Sequence, residues 1–214
     1  MWQACLMCWT ETITGVYKQD FTIKDYFPLH TFFHVDMSRR LRLGMKIELS
    51  AQTTSEFGAV YWKQFRHAGI EHFPSDQTIP PQTHLLGEAA YREFWLELFR
   101  TGNPELKNLM LPSRLNSFFV VESIEDARRY ITRSNLGKHV PIFEVHSQKP
   151  GVKFDMTWLD QQFPRDYREF GYYYLRYWKG LRIDDDPHLA RHEKRGSLME
   201  VLLDSPITIG QLAS

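Results

Sequence analysis

The segment Ser197-Leu198-Met199-Glu200-Val201-Leu202-Leu203 is an apolar run broken by one carboxylate, and Asp204-Ser205-Pro206 separates it from Ile207-Thr208-Ile209. Both apolar stretches have strand composition, so two strands are predicted to meet at a tight connection. Flanked by Met199 and Val201, Glu200 is poorly placed for free solvation. An ionised carboxylate in apolar surroundings is costly and requires a reason. Two reasons remain open at this stage. Alternation can turn Glu200 to the solvent face of an antiparallel strand, or the protein holds the carboxylate for chemistry.

The rest of the chain supplies the frame. Thr31 to Asp36 mixes β-branched and aromatic residues and reads as a strand with His34 inside it, and a second strand is expected from Met45 to Leu49 after a turn at Gly44. Leu85 to Phe99 carries apolar residues at helical spacing, with Gly102 and Pro104 as the stop. Leu115 to Val121 reads as a strand, and Ser123 with Asp126 forms an acidic capping box for a helix through about Arg133. Pro141 to His146 is another strand candidate before a turn at Pro150-Gly151. From Asp166 to Lys179, Tyr167, Phe170, Tyr174 and Tyr177 recur at helical steps as a core-facing stripe, closed by Gly180. Leu181 to Gly196 suits an exposed loop in which Asp186 caps a short helix opened by Pro187. Scattered strands with few helices predict an α+β fold.

Within 214 residues no repeat or linker is visible, so one domain is expected, with residues 1–30 as an N-terminal extension and 31–210 as the core. Lysine plus arginine equals aspartate plus glutamate at 26 each, so no overall field attracts nucleic acid or lipid, and any polyanion site must be a local patch. Met1 to Asp20 lacks a basic leader and a continuous apolar stretch, which predicts a cytoplasmic protein with no membrane partner. Cys5 and Cys8 form a lone C-x-x-C, read as structural filler and not as a zinc site. His188 and His192 lie four apart but lack the acidic residue of H-E-x-x-H, so no metal is expected.

The order of parts is more informative than any one of them. A strand with a central His, a strand S-x-F leading into a helix, and a late strand with a single Glu closely followed by another strand resemble the ADP-ribosyltransferase superfamily. The resemblance spans about Thr31 to Ile209 and is nearest to its small bacterial toxin-like branch. It implies a split mixed or antiparallel sheet core with flanking helices, and NAD as the substrate. On that resemblance, Phe32-Phe33-His34-Val35-Asp36 is the cofactor strand, where His34, with Val35 and Asp36, holds a ribose. Arg114 and Ser117 contact the diphosphate or ribose, Phe119 stacks on the nicotinamide, and Glu200 is the catalytic carboxylate. Cleaving the nicotinamide–ribose bond builds positive charge on the ribose, which a fixed carboxylate stabilises.

Two departures from the family pattern bear on specificity. Phe119 stands where many members carry Tyr, which keeps the ring but loses a hydroxyl. Leu198 stands two residues before Glu200 in place of the Glu or Gln typical of arginine-modifying members, which disfavours an arginine acceptor. Arg191, His192, Lys194 and Arg195 precede the late strand and favour a phosphate-rich acceptor, RNA or an unpaired DNA base, although Asp184-Asp185-Asp186 opposes it. The expected function is therefore mono-ADP-ribosyl transfer of the toxin or phage-defence type, with an antitoxin as a further partner. Two alternatives accompany it: an RNA 2′-phosphotransferase of the same superfamily, and a non-enzymatic interaction subunit of a toxin–antitoxin or defence complex.

Overall fold

The computed structural model describes residues 29–74, 78–137, 139–160 and 167–213, with the side chains of 167–169 left aside. The readings of Cys5, Cys8 and the first 28 residues lie outside that set, as does Asp166. In chain order the elements are β1 (His30–Val35), β2 (Lys46–Ile47), α1 (Glu56–His67), α2 (Glu88–Gly102), β3 (Phe118–Val120), α3 (Ile124–Arg133), β4 (Ile142–Ser147), β5 (Val152–Asp155), α4 (Tyr167–Trp178), β6 (Met199–Leu203) and β7 (Ile207–Leu212). The fold is α+β, with four helices and two antiparallel sheets among the described residues. One sheet runs β1-β4-β7-β2 and the other β3-β6-β5. No helix among the described residues is long and apolar enough to cross a membrane.

The apolar run predicted as a strand is β6, and its central place in the three-stranded sheet explains its composition. Val201 and Leu203 pack with Phe32, Val120, Val145 and Ile209 in the core shared with the larger sheet. Leu202 belongs to the aromatic core formed with α2 and α4. Side chains alternate along a strand, so Glu200 and Leu202 share the helix-covered face. Both faces are covered, which is the condition for a near-continuous apolar strand. Glu200 is therefore buried, at 3% exposure, and the solvent-face reading fails. After β6 the chain passes through Asp204, Ser205 and Pro206 into β7, which belongs to the other sheet. The close succession of the two strands thus joins the sheets and does not form a hairpin. A bridge between Phe33 and Val121, with reciprocal N–H···O bonds of 2.9 Å, ties β1 to the end of β3.

Local chemistry accounts for where elements start. Ser123 caps α3 by accepting from the Asp126 amide at 3.0 Å, and the helix ends at Arg133, both as expected. α4 also follows its pattern: Phe170, Tyr174 and Tyr177 are buried among Trp95, Phe99 and Phe154. Leu85, by contrast, belongs to a separate 3-10 turn, Pro81–Leu85, and α2 begins only after the extended Leu86. Leu115 is not in a strand. Ser113 Oγ accepts from the Leu115 amide at 3.2 Å and opens a 3-10 turn over Arg114–Asn116, so β3 is confined to Phe118–Val120. The expected Met45–Leu49 strand reduces to two residues paired with β7. No helix follows Pro187. The Asp186 carboxylate accepts from the His188 amide but also from Tyr172 and Arg176 of α4, which pins the loop against that helix. Neither α1, capped by Ser55, nor β5 was expected from the sequence.

Helix α1 lies against the turn that carries Arg114. A Cβ at Gly58 would stand 1.9 Å from the Leu115 carbonyl oxygen, and Ser55 Oγ donates to that same oxygen at 2.9 Å. Gly58→Ala is therefore expected to destabilise the fold, although alanine is the better helix former. Overpacking typically costs about 1–3 kcal/mol, and a collision with backbone belongs at the upper end. Thermal denaturation checks this, and an unchanged or raised Tm would contradict the close approach.

Candidate functional site

A cavity of about 320 Å³ opens between β1, β3 and the start of β6. That volume falls within the range of small-molecule sites, about 300–1,000 Å³. His34, Val35, Arg114, Phe119 and Glu200, five of the seven residues predicted for the site, line it together. Asp36 and Ser117 do not. Asp36 accepts from Ser38 Oγ at 2.7 Å and from the Leu41 amide at 2.9 Å, which fixes the loop after β1. Burial pushes its carboxyl upward, but those donors outweigh it and hold Asp36 below its ordinary range. Ser117 Oγ donates to the Ser113 carbonyl at 2.7 Å and closes the turn beneath Arg114.

His34 is positioned from two sides. Its Nδ1 lies 2.7 Å from the Phe119 carbonyl, and its ring is 4.4 Å from that of Phe118. A carbonyl only accepts, so Nδ1 carries the proton and the neutral ring leaves Nε2 as an acceptor. Burial depresses its pKa below 6.5 and outweighs the opposing pull of the Phe119 carbonyl and of Asp36. The sign of the pH effect follows. Below about 6.5 the unfolded chain takes a proton at this position that the folded protein refuses, so this contribution to stability is lost as pH falls through that window. NMR titration of the ring should give a midpoint below 6.5. A midpoint above it would contradict the buried neutral state.

Glu200 meets a network that the sequence only half announces. Its Oε1 accepts from Arg114 Nη1 at 2.5 Å and from the Tyr177 hydroxyl at 2.7 Å. Among the described residues no hydrogen bond falls on Oε2. Arg114 Nη1 also donates to the Tyr177 oxygen, and Arg114 Nε donates to Glu93 Oε2 at 2.8 Å. Glu97, one turn along α2 from Glu93, accepts from the Arg114 amide at 2.8 Å and from Ser113 Oγ at 3.0 Å. Burial opposes the charge on Arg114, but Glu200 and Glu93 more than compensate and raise its pKa well above the ordinary value. Burial likewise keeps Tyr177 protonated, as a donor to Glu200 requires. The guanidinium lies 4.7 Å from the Phe119 ring centroid, and Phe57 meets that ring edge-on at 4.7 Å, so the aromatic wall of the cavity is held on two sides.

Glu93, Tyr177 and Arg92 are site residues that the sequence reasoning missed. Glu97 interrupts the apolar run from Phe94 to Phe99 just as Glu200 interrupts its own, whereas Glu93 follows Arg92 at the edge of that run and gives a weaker signal. Their i, i+4 spacing places both on one helix face. Tyr177 was read as core, which it is, but its hydroxyl still required a partner. Arg92 lines the cavity, pairs with Glu93 at 3.3 Å, and has a buried Nε without a hydrogen-bond partner among the described residues.

The arrangement offers a carboxylate fixed by two donors, a neutral imidazole and a wall of rings. It suits a flat ligand with a centre that becomes positive. Among the described residues no three His, Cys, Asp or Glu side chains gather to hold a metal ion. Compared with known protein families and with curated proteins, the chain matches none.

Proposed function

We propose that this chain is an NAD-dependent mono-ADP-ribosyltransferase of the toxin or phage-defence type, transferring ADP-ribose to a nucleic-acid acceptor. The observation that carries the reading is the convergence of His34 and Glu200, far apart in sequence, on one cavity walled by Phe119. In this reading Glu200 Oε2 grips a ribose hydroxyl and stabilises the developing cation, while Arg114 and Tyr177 hold Oε1. His34 Nε2 accepts from a ribose hydroxyl. Phe119 stacks on the nicotinamide. Arg114 acts from behind Glu200 and not on the diphosphate, because its donors are directed to Glu93, Glu200 and Tyr177.

Incubation with labelled NAD and separate RNA, DNA and protein pools tests the reading, and label is expected in a nucleic-acid pool. NAD at 100 times its dissociation constant should stabilise the fold by about 2.7 kcal/mol. Expression should impair growth, with relief by Glu200→Ala. A second reading, a non-enzymatic subunit, is favoured by one observation: Arg114 neutralises Glu200 inside the fold. No thermal shift at millimolar NAD would select it.

A further inference from the structure

Beside the cavity runs a second hollow of about 410 Å³, walled by α3 and the segment that leads into β6. Arg128, Arg129, Arg133 and Arg195 line it with Thr132. We infer that this groove binds the phosphodiester backbone of a single-stranded polynucleotide and leads it to the cavity. The inference rests on the proposed transferase reading only for what happens at the end of the path; binding in the groove stands without NAD.

Four observations carry it. The first is charge. Four guanidinium groups face two partnered carboxylates, Asp126 on Arg129 and Asp160 on Arg133, while Arg128 and Arg195 make no direct ion pair with a described residue. The chain as a whole is neutral, so this excess is local. The second is an unfilled donor. Arg133 Nη2 is buried without a hydrogen-bond partner among the described residues, a donor that a small shift of the side chain into the groove would present to a phosphate oxygen.

The third is support. Arg129 donates to the Ser197 carbonyl at 3.0 Å and Arg133 to the Gly196 carbonyl at 3.2 Å, so the groove is fastened to the segment that leads directly into the strand carrying Glu200. The fourth is continuity. Tyr130 of the same helix and Ser134, its C-cap, line the first cavity, and so does Asp160, the partner of Arg133. A basic groove running into an aromatic-walled pocket is the usual arrangement for single strands, where arginines follow the backbone and rings receive bases. An unpaired base reaches such a pocket without first being extruded from a duplex. The sequence cluster from Arg191 to Arg195 therefore contributes Arg195, and α3 supplies the rest.

Fluorescence anisotropy with labelled single strands of about 12 nucleotides, within the usual footprint of single-strand binding surfaces, tests this without NAD. Binding should weaken linearly in log K against log salt. Arg128→Glu with Arg195→Glu, neither of which lines the NAD cavity, should reduce that slope by about 1.4, two lost contacts at about 0.7 each. The NAD-induced thermal shift of this double variant should match the wild type. Wild-type slopes retained in the double variant would overturn the groove, as would tighter binding of a duplex or of a phosphopeptide of equal charge. Loss of the NAD shift in the wild type, with oligonucleotide binding intact, would overturn the transferase reading and leave the groove standing.

Discussion

Glu200→Gln is expected to fold, to bind NAD, and to lose at least about 10²-fold in the rate of ADP-ribosyl transfer, the amount that a positioned electrostatic group typically supplies. Glutamine is close to isosteric. Its amide oxygen can still accept from Tyr177 and from Arg114, and Arg114 keeps its second partner, Glu93, at 2.8 Å. In the proposed reaction, what disappears is the negative charge opposite the ribose, which would matter most as the glycosidic bond breaks. The loss should therefore fall on kcat more than on KM. Glu93→Gln provides the control, because it removes a charge from the same buried network at a residue that does not line the cavity. It should lower Tm while sparing most of the rate. Equal rate losses in the two variants, at equal stability, would assign Glu200 to the structure of the network and not to the reaction.

Elements whose signals are local were legible in the sequence. The box of Ser123 and Asp126 marks the start of α3, and the ring periodicity of Phe170, Tyr174 and Tyr177 marks α4. Elements decided by tertiary contact were not. β2 is two residues long because only Lys46 and Ile47 find partners on β7, and the turn at Arg114–Asn116 exists because Ser113 and Glu97 supply acceptors that a strand reading ignores. At the site, the order of parts was enough to bring residues 34, 119 and 200 to one cavity. It could not reveal that Arg114 faces inward. The resemblance directs the Arg114 guanidinium to the ligand, whereas inside the fold it is met by Glu200 of β6 and, from α2, by the buried Glu93. The partner lies 21 residues away and on another element, a distance that no periodicity reports.

Arg114→Met should produce the largest stability effect in the molecule, about 3–5 kcal/mol, the usual consequence of removing one partner from a buried ion pair. The cost arises less from the lost attraction than from what remains. Glu93 and Glu200 would stay buried, at 0% and 3% exposure, with no guanidinium between them. Removing one of those charges as well, by Glu93→Gln in the Arg114→Met background, should recover part of the deficit, so urea denaturation of the double variant separates this cause from lost packing. Methionine also removes the charge above the Phe119 ring, a smaller contribution. Replacing Glu93, Arg114 and Glu200 together with apolar residues of similar volume should restore much of the stability, because desolvating the ions offsets most of what their attraction provides. Such a triple variant would be stable and without transfer activity. If it were no more stable than Arg114→Met alone, the network would be holding the fold together through specific geometry. If it recovered as expected, the fold itself has little need of the buried charges, and the requirement that keeps them would lie in the cavity, where Arg114 and Tyr177 fix Glu200 in place.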